Sequence, residues 1–302
     1  MSRHYPFFLA TILLASFVLS SCGGGTNNGG GTGYINLNIT DAPVDEAAEV
    51  TVSFSGLSIK PANGTAFDIN FENAKGQPIV KKIDLLSLQG ANSLNLLDNY
   101  PLAAGKYNWI RLKVISSETT TDSYIVLKQG GMTYPLYVPS GDETGLKLNR
   151  GFTILDGQTA TFTIDFDLRK SIVDPGNLSS AYKLKPTLRI VENHNAGNIT
   201  GTVGSLTLND VNCTGTDYAV YAFIGAGITP DDMDGIDPDP VSSSMLNNSF
   251  GYGIGFLEQG DYTLAVTCQA AADKVDTSES INFIGMKTVT VIAGKTITEN
   301  FE

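Results

Sequence analysis

The chain has 302 residues, a formal net charge of −12 and a hydrophobic fraction of 42%. That acidity repels a phosphate backbone and argues against nucleic acid as a partner, while the apolar fraction suffices for packed cores. The 32 glycines and the scarcity of long helix-forming runs point to strands and turns.

Residues 1–21 read as a lipoprotein signal peptide. Arg3 precedes an apolar run from Phe7 to Leu19, and small residues lead to Cys22, the three regions of a secretory signal in order. Leu19-Ser20-Ser21-Cys22 resembles the bacterial lipobox, at which the cysteine is acylated and becomes the new N-terminus; an ordinary secretory signal or a short uncleaved anchor is the alternative. Gly23 follows where an inner-membrane retention signal would have Asp, which favours the outer membrane. Each buried methylene of an acyl chain adds about 0.8 kcal/mol, so several chains on Cys22 would hold the protein at a membrane. Residues 22–33 contain seven glycines and no apolar side chain beyond Cys22; such a stretch is a flexible tether with a reach of about 20 Å.

From Tyr34 onward the pattern has period two. Ile35, Leu37 and Ile39 alternate with Asn36, Asn38 and Thr40. In residues 49–59 the apolar set passes from Val50, Val52 and Phe54 to Leu57 and Ile59, and the change of phase at Gly56 predicts a β-bulge. Residues 81–97 carry leucines near helical spacing, which fits a short helix or a docked loop. Phe162, Ile164, Phe166 and Leu168 alternate with Thr161, Thr163, Asp165 and Asp167, as in a half-buried antiparallel strand. Pro186 cannot donate to a ladder and belongs at an edge or a strand end.

Leu102-Ala-Ala-Gly105-Lys-Tyr107 and Leu257-Glu-Gln-Gly260-Asp-Tyr262 share a turn glycine and a tyrosine that opens the next strand. This unit recurs in β-sandwiches of the immunoglobulin-like and prealbumin-like kinds. The expected fold is therefore all-β, two tandem antiparallel β-sandwiches after the signal peptide and tether, with domains at 34–192 and 198–302 separated by the polar stretch around His194. Cys213 and Cys268 remain as a pair once Cys22 is assigned to lipid, and in an oxidising compartment a disulfide is expected between them, two buried free thiols being the alternative. Val211 lies in phase with Cys213, and Tyr262, Leu264 and Val266 with Cys268, so both sulfurs are expected to face a core.

Residues 35–61, 102–114, 137–148, and 164–173 with 182–191 carry "INLNITDAPVDEAAEVTVSFSGLSIKP", "LAAGKYNWIRLKV", "YVPSGDETGLKL", and "IDFDLRKSIV" with "YKLKPTLRIV". In these motifs, from about Tyr34 to Glu192, the chain resembles the bacterial envelope family catalogued as domain of unknown function 4382. The resemblance implies an exported β-rich domain, commonly in lipoproteins, with no assigned activity. The remainder is similar to prealbumin-like or carboxypeptidase-regulatory-like modules.

Catalytic candidates are sparse. Asp165 and Asp167 share one strand face at about 6–7 Å, a separation that suits a glycosidase pair. Arg169 lies on the same face, and an open polar strand face with an ion pair is the competing explanation. Ser140 has no evident histidine partner, which argues against a Ser-His-Asp triad. One histidine beyond the signal and two paired cysteines do not make a zinc set.

Residues 229–240 bring together Asp231, Asp232, Asp234, Asp237 and Asp239. Asp232-x-Asp234-Gly235 matches part of a calcium loop, with Asp237 and Asp239 available from the far side. Pro230 and Val241 stand where a calcium loop has its first aspartate and its bidentate glutamate. The readings are a weak calcium site formed by Asp232, Asp234, Asp237 and Asp239, or a solvated acidic turn. The expected function is a lipid-anchored, non-enzymatic envelope protein that requires no cofactor, meets the membrane through its N-terminal lipid, and holds an envelope protein or glycan or spaces envelope components. A calcium-stabilised structural module and a polysaccharide-acting enzyme are the alternatives.

Overall fold

The computed structural model describes residues 30–42, 47–139, 146–176, 181–185, 187–275 and 277–302. The signal peptide, Cys22, Ser140 and Pro186 lie outside the described residues.

The first part of the chain opens with β1 (Thr32–Ala42), β2 (Ala47–Pro61), β3 (Phe67–Asn70) and β4 (Lys81–Asp84). It continues through β5 (Leu94–Ala103), β6 (Gly105–Ile115), β7 (Tyr124–Leu127), β8 (Thr133–Tyr137) and β9 (Leu146–Leu148). After β10 (Phe152–Ile154) and β11 (Thr159–Asp167) come a four-residue helix α1 (Leu168–Ser171), β12 (Ile172–Val173), β13 (Tyr182–Leu184) and β14 (Leu188–Glu192). These strands form a four-stranded sheet, β14-β11-β1-β5, and a larger one, β10-β6-β2-β7-β8-β13-β12, with β3 and β4 on β2 and β9 on β6.

The two sheets share one core. Ile35, Leu37 and Ile39 meet Val50, Val52, Phe54, Leu57 and Ile59 in a single buried cluster, and Phe54 contacts Phe166 edge-on with ring centroids 6.5 Å apart. Each such side chain contributes about 1.5–3 kcal/mol of burial free energy. The expected bulge is present, since the β2–β6 register shifts between Phe54 and Gly56. A Cβ at position 56 would stand 2.2 Å from the Ile69 carbonyl oxygen of β3, which is why only glycine fits.

Several expectations are corrected. β1 pairs with β11 in parallel, so the sheet is mixed rather than antiparallel. Thr40 is 1% exposed and donates to the carbonyls of Leu88 and Asn92, so the outer face of β1 is closed at that end. Residues 81–97 form β4, a 3-10 turn at Leu85–Leu88 and the start of β5. The Asp84 side chain caps that turn by accepting from the Leu86 amide at 3.2 Å, satisfying one of its free N–H groups.

A 3-10 turn, Asn193–Asn195, leads into β15 (Ala196–Thr202), the short helix α2 (Ser205–Leu208) and β16 (Ala219–Ile224). Then follow β17 (Ser242–Met245), β18 (Gly251–Glu258), β19 (Gly260–Thr267), β20 (Phe283–Val291) and β21 (Thr296–Thr298). They build sheets ordered β18-β15-β21 and β17-β16-β19-β20, with β15 and β21 parallel. Ile199, Val220, Ala222, Ile254, Leu264 and Val266 fill the space between these sheets.

β16 is apolar at every position and buried on both faces. Val220 and Ala222 point into that core, while Tyr221 and Phe223 point away and pack with Met233, Ala265 and Ala270 in a second cluster. The cover over this outer face comes from the acidic loop, through Met233, and from residues 268–283, through Ala270 and Phe283. Cys213 and Cys268 are joined, with Cα atoms 5.8 Å apart. Cys268 is fully buried and Cys213 only partly so; Val211, expected inward, is 93% exposed because residues 211–212 are turn rather than strand.

Candidate functional site

The β11 carboxylates are committed to structure. β11 lies between β1 and β14, and Thr163, Asp165 and Asp167 are all buried, against the expectation of an open polar face. Asp165 Oδ2 accepts from Arg189 Nε on β14 at 2.6 Å. The ion-pair partner is thus Arg189 and not Arg169. Burial pushes the Asp165 carboxyl above the usual range, with Arg189 opposing it. Asp167 is the N-cap of α1 and accepts from the Lys170 amide at 3.1 Å; burial raises it too, with Lys170 opposing.

α1 carries its two basic residues towards the second set of sheets. Arg169 is 7% exposed, donates to the Ala270 carbonyl and lies over the Tyr221 ring, 5.0 Å from its centroid. Lys170 pairs with Asp239 and donates to the Pro240 carbonyl at 2.6 Å. Arg189 reaches the Gly255 carbonyl at 3.3 Å. His194 is exposed and 3.3 Å from Glu192.

The acidic loop is not a solvated turn along its whole length. Asp232 and Met233 are each 1% exposed, while Asp231, Gly235 and Asp237 face solvent. Gly235 makes the sharp turn with φ +82°, and Asp234 Oδ1 accepts from the Ile236 amide at 2.8 Å. The Asp237–Pro238 peptide is cis. Of the four residues expected to hold calcium, Asp239 is turned to Lys170, and neither Asp234 nor Asp237 joins Asp232 in a metal-capable group.

Asp232 instead meets Asp273 and Glu279, with one carboxylate oxygen from each residue lying within 4.8 Å of the other two. Asp273 is 5% exposed; its Oδ1 accepts from the Met233 amide at 3.0 Å and its Oδ2 from the Tyr221 hydroxyl at 2.6 Å. Asp232 Oδ2 accepts from the Glu279 amide. Glu279, half-buried, accepts from the Lys274 amide at 3.1 Å and from the Thr277 hydroxyl. Burial raises the Asp232 carboxyl, and the charges of Asp234, Asp231 and Asp273 raise it further against the Glu279 amide. This group can hold a metal ion.

Sequence reasoning missed Asp273 and Glu279. The available signal was the unbroken apolar run Ala219–Ile224, which marks a strand buried on both faces and so requires a cover; residues 268–283 supply part of it. The first set of sheets also bears an open cleft of about 460 Å³ lined by Asn63, Phe67, Tyr100, Pro101 and Lys106 among others.

These features define an all-β protein of paired sheets with an acidic site on the outer face of one of them. The family described as domain of unknown function (DUF4382) matches residues 32–186, half of the chain, and the chain belongs to that family. No curated protein matches it. Among solved structures, the Bacillus anthracis TIE protein is similar at 13% identity and a TM-score of 0.23, with 90% of this chain and 34% of that one covered; the chain thus spans about a third of that protein's length. GBS52, the minor pilin of Streptococcus agalactiae, is similar at 11% identity and a TM-score of 0.22, over 88% of this chain and 94% of that one. BcpA, the major pilin subunit of Bacillus cereus, is similar at 11% identity and a TM-score of 0.21, over 89% and 98%.

Proposed function

We infer that the chain is a non-enzymatic cell-envelope protein, held by lipid on Cys22 with the outer membrane favoured, that binds an envelope protein or glycan or spaces envelope components. The observation that carries this reading is the state of Asp165 and Asp167. Glycoside hydrolysis needs an acid and a second carboxylate open to substrate, whereas these two are buried, one paired with Arg189 and the other capping α1. The cleft beside Phe67, which is 38% exposed, offers an aromatic face and polar groups of the kind that fixes a ligand's orientation.

A calcium-stabilised structural module is compatible with this reading, and the carboxylate group around Asp232 is the observation that favours it. The test of the main reading is expression of the full chain with a clickable fatty acid, followed by incubation of the membrane-bound product with a glycan panel. Acyl label on the parent and none on Cys22→Ser, with glycan retained but not cleaved and retention lost in Phe67→Ala, is the expected result. Cleavage of any glycan that disappears in Asp165→Asn would overturn it.

A further inference from the structure

We propose that Asp232, Asp273 and Glu279 form a calcium site that ties the acidic loop to residues 273–279 over the outer face of β16. This rests on the site's own geometry rather than on the envelope function inferred above. Three oxygens bound to one calcium at about 2.3–2.6 Å can be separated by no more than about 5 Å; one oxygen from each of the three carboxylates here lies within 4.8 Å of the others, inside that limit.

The second observation is an oxygen left over. Asp232 is 1% exposed, its Oδ2 is taken by the Glu279 amide, and its Oδ1 has no hydrogen-bond partner among the described residues. A buried carboxylate oxygen without a donor is costly, because the desolvation of the charge is not repaid. Its neighbours make this worse, since they are two more carboxylates. Among the described residues none of the three carboxylates forms an ion pair with a basic side chain. A divalent cation supplies the missing positive charge.

The chemistry of the donors selects the ion. All are hard carboxylate oxygens with no nitrogen or sulfur among them, which suits calcium or magnesium and not zinc or copper. The group spans two irregular segments, and calcium tolerates six to eight oxygens in flexible geometry, where magnesium demands a near-ideal octahedron. Backbone amides and the Tyr221 hydroxyl already fix Asp273 and one oxygen of Asp232. The ion thus meets a partly preorganised pair, with Glu279, itself held by the Lys274 amide and the Thr277 hydroxyl, as its third ligand. The tie closes the lid in which Met233 covers Tyr221 and Phe223.

The experiment is calorimetric titration of the EDTA-treated full chain, in mild detergent, with calcium chloride and separately with magnesium chloride. Parent protein is expected to bind one calcium in the micromolar to millimolar range, with magnesium at least tenfold weaker. Glu279→Gln, at a half-buried position that holds no core residue, is expected to weaken calcium at least tenfold without unfolding the chain; Asp237→Asn, outside the group, is expected to leave it unchanged. Asp273→Asn also touches Tyr221 and Met233, so its circular dichroism is read alongside. No heat of binding at 10 mM calcium, equal binding of magnesium, or calcium affinity lost in Asp237→Asn but kept in Glu279→Gln would each overturn the assignment.

Discussion

Tyr107 and Tyr262 play one part in two separate cores. Each follows a glycine with strongly positive φ, Gly105 at +151° and Gly260 at +149°, and each donates its hydroxyl to the carbonyl four residues back, Ala103 at 2.7 Å and Glu258 at 2.8 Å. The repeated Leu-x-x-Gly-x-Tyr unit is therefore a repeated hydrogen bond that closes a hairpin. Both rings are buried.

Removing either hydroxyl leaves the packing and deletes the bond. Tyr107→Phe and Tyr262→Phe are each expected to lose about 1 kcal/mol in urea unfolding, and because the two sites share no partner the double variant should lose the sum. Burial raises both phenols. Their contribution is complete below the unfolded tyrosine pKa of about 10 and is lost as pH rises through the folded value, so stability falls above about pH 10 and falls less steeply in the double variant.

The Asp165–Arg189 pair gives a second outcome. Asp165→Asn keeps an acceptor for Arg189 and removes a charge whose burial is unfavourable, so stability near neutral pH is expected within about 1 kcal/mol of the parent. Asp165→Ala leaves Arg189 without that acceptor and is expected to cost about 3 kcal/mol. The raised carboxyls of Asp165 and Asp167 bind protons more tightly folded than unfolded. Their share of stability is therefore full below the unfolded pKa of about 3.9 and lost as pH rises through the folded values. Acidification from neutral pH adds this share in the parent and adds less of it in Asp165→Asn; Asp68, lowered by Lys113, works in the opposite direction at its exposed site. Equilibrium unfolding between pH 7 and pH 5 measures the difference.

Cys213 and Cys268 close a loop with a sequence separation of 55. A cross-link over about 56 residues restricts the unfolded chain by roughly 4 kcal/mol in the chain-entropy model. Cys213→Ala/Cys268→Ala is expected to lose most of that from the core that contains β16 and β19, while the core around Phe54 is spared. Native-state amide exchange, read separately for β16 and β19 and for the strands around Phe54, separates the two.

The period-two pattern was sufficient for the strands whose one face is buried, as with Ile35, Leu37, Ile39 and the bulge at Gly56. It could not announce the burial of Asp165, because that depends on β14 bringing Arg189 alongside and on the second set of sheets lying near. Local sequence carries no record of such a neighbour. The acidic loop shows the same limit: aspartates close in sequence suggested one site, but backbone turns send Asp239 to Lys170 and Asp232 to Asp273 and Glu279. The disulfide was legible because Cys213 and Cys268 are the two cysteines that lie beyond the expected lipobox.

Lys170 provides the last prediction, since it links the two sets of sheets through Asp239 and the Pro240 carbonyl. Its side chain is 10% exposed and that of Asp239 24%, so solvent screens the pair only partly. Lys170→Met keeps the aliphatic stem and leaves Asp239 facing a neutral group; a loss of about 2 kcal/mol is expected. Asp239→Asn should cost less in that background than in the parent, giving a coupling energy of about 1 kcal/mol or more in the double-mutant cycle. The loss should also appear as a separation of two unfolding midpoints, because the link joins cores that are otherwise distinct. Differential scanning calorimetry that shows the same single peak in parent and Lys170→Met would assign the coupling to Arg169 and its contacts with Tyr221 and Ala270 instead.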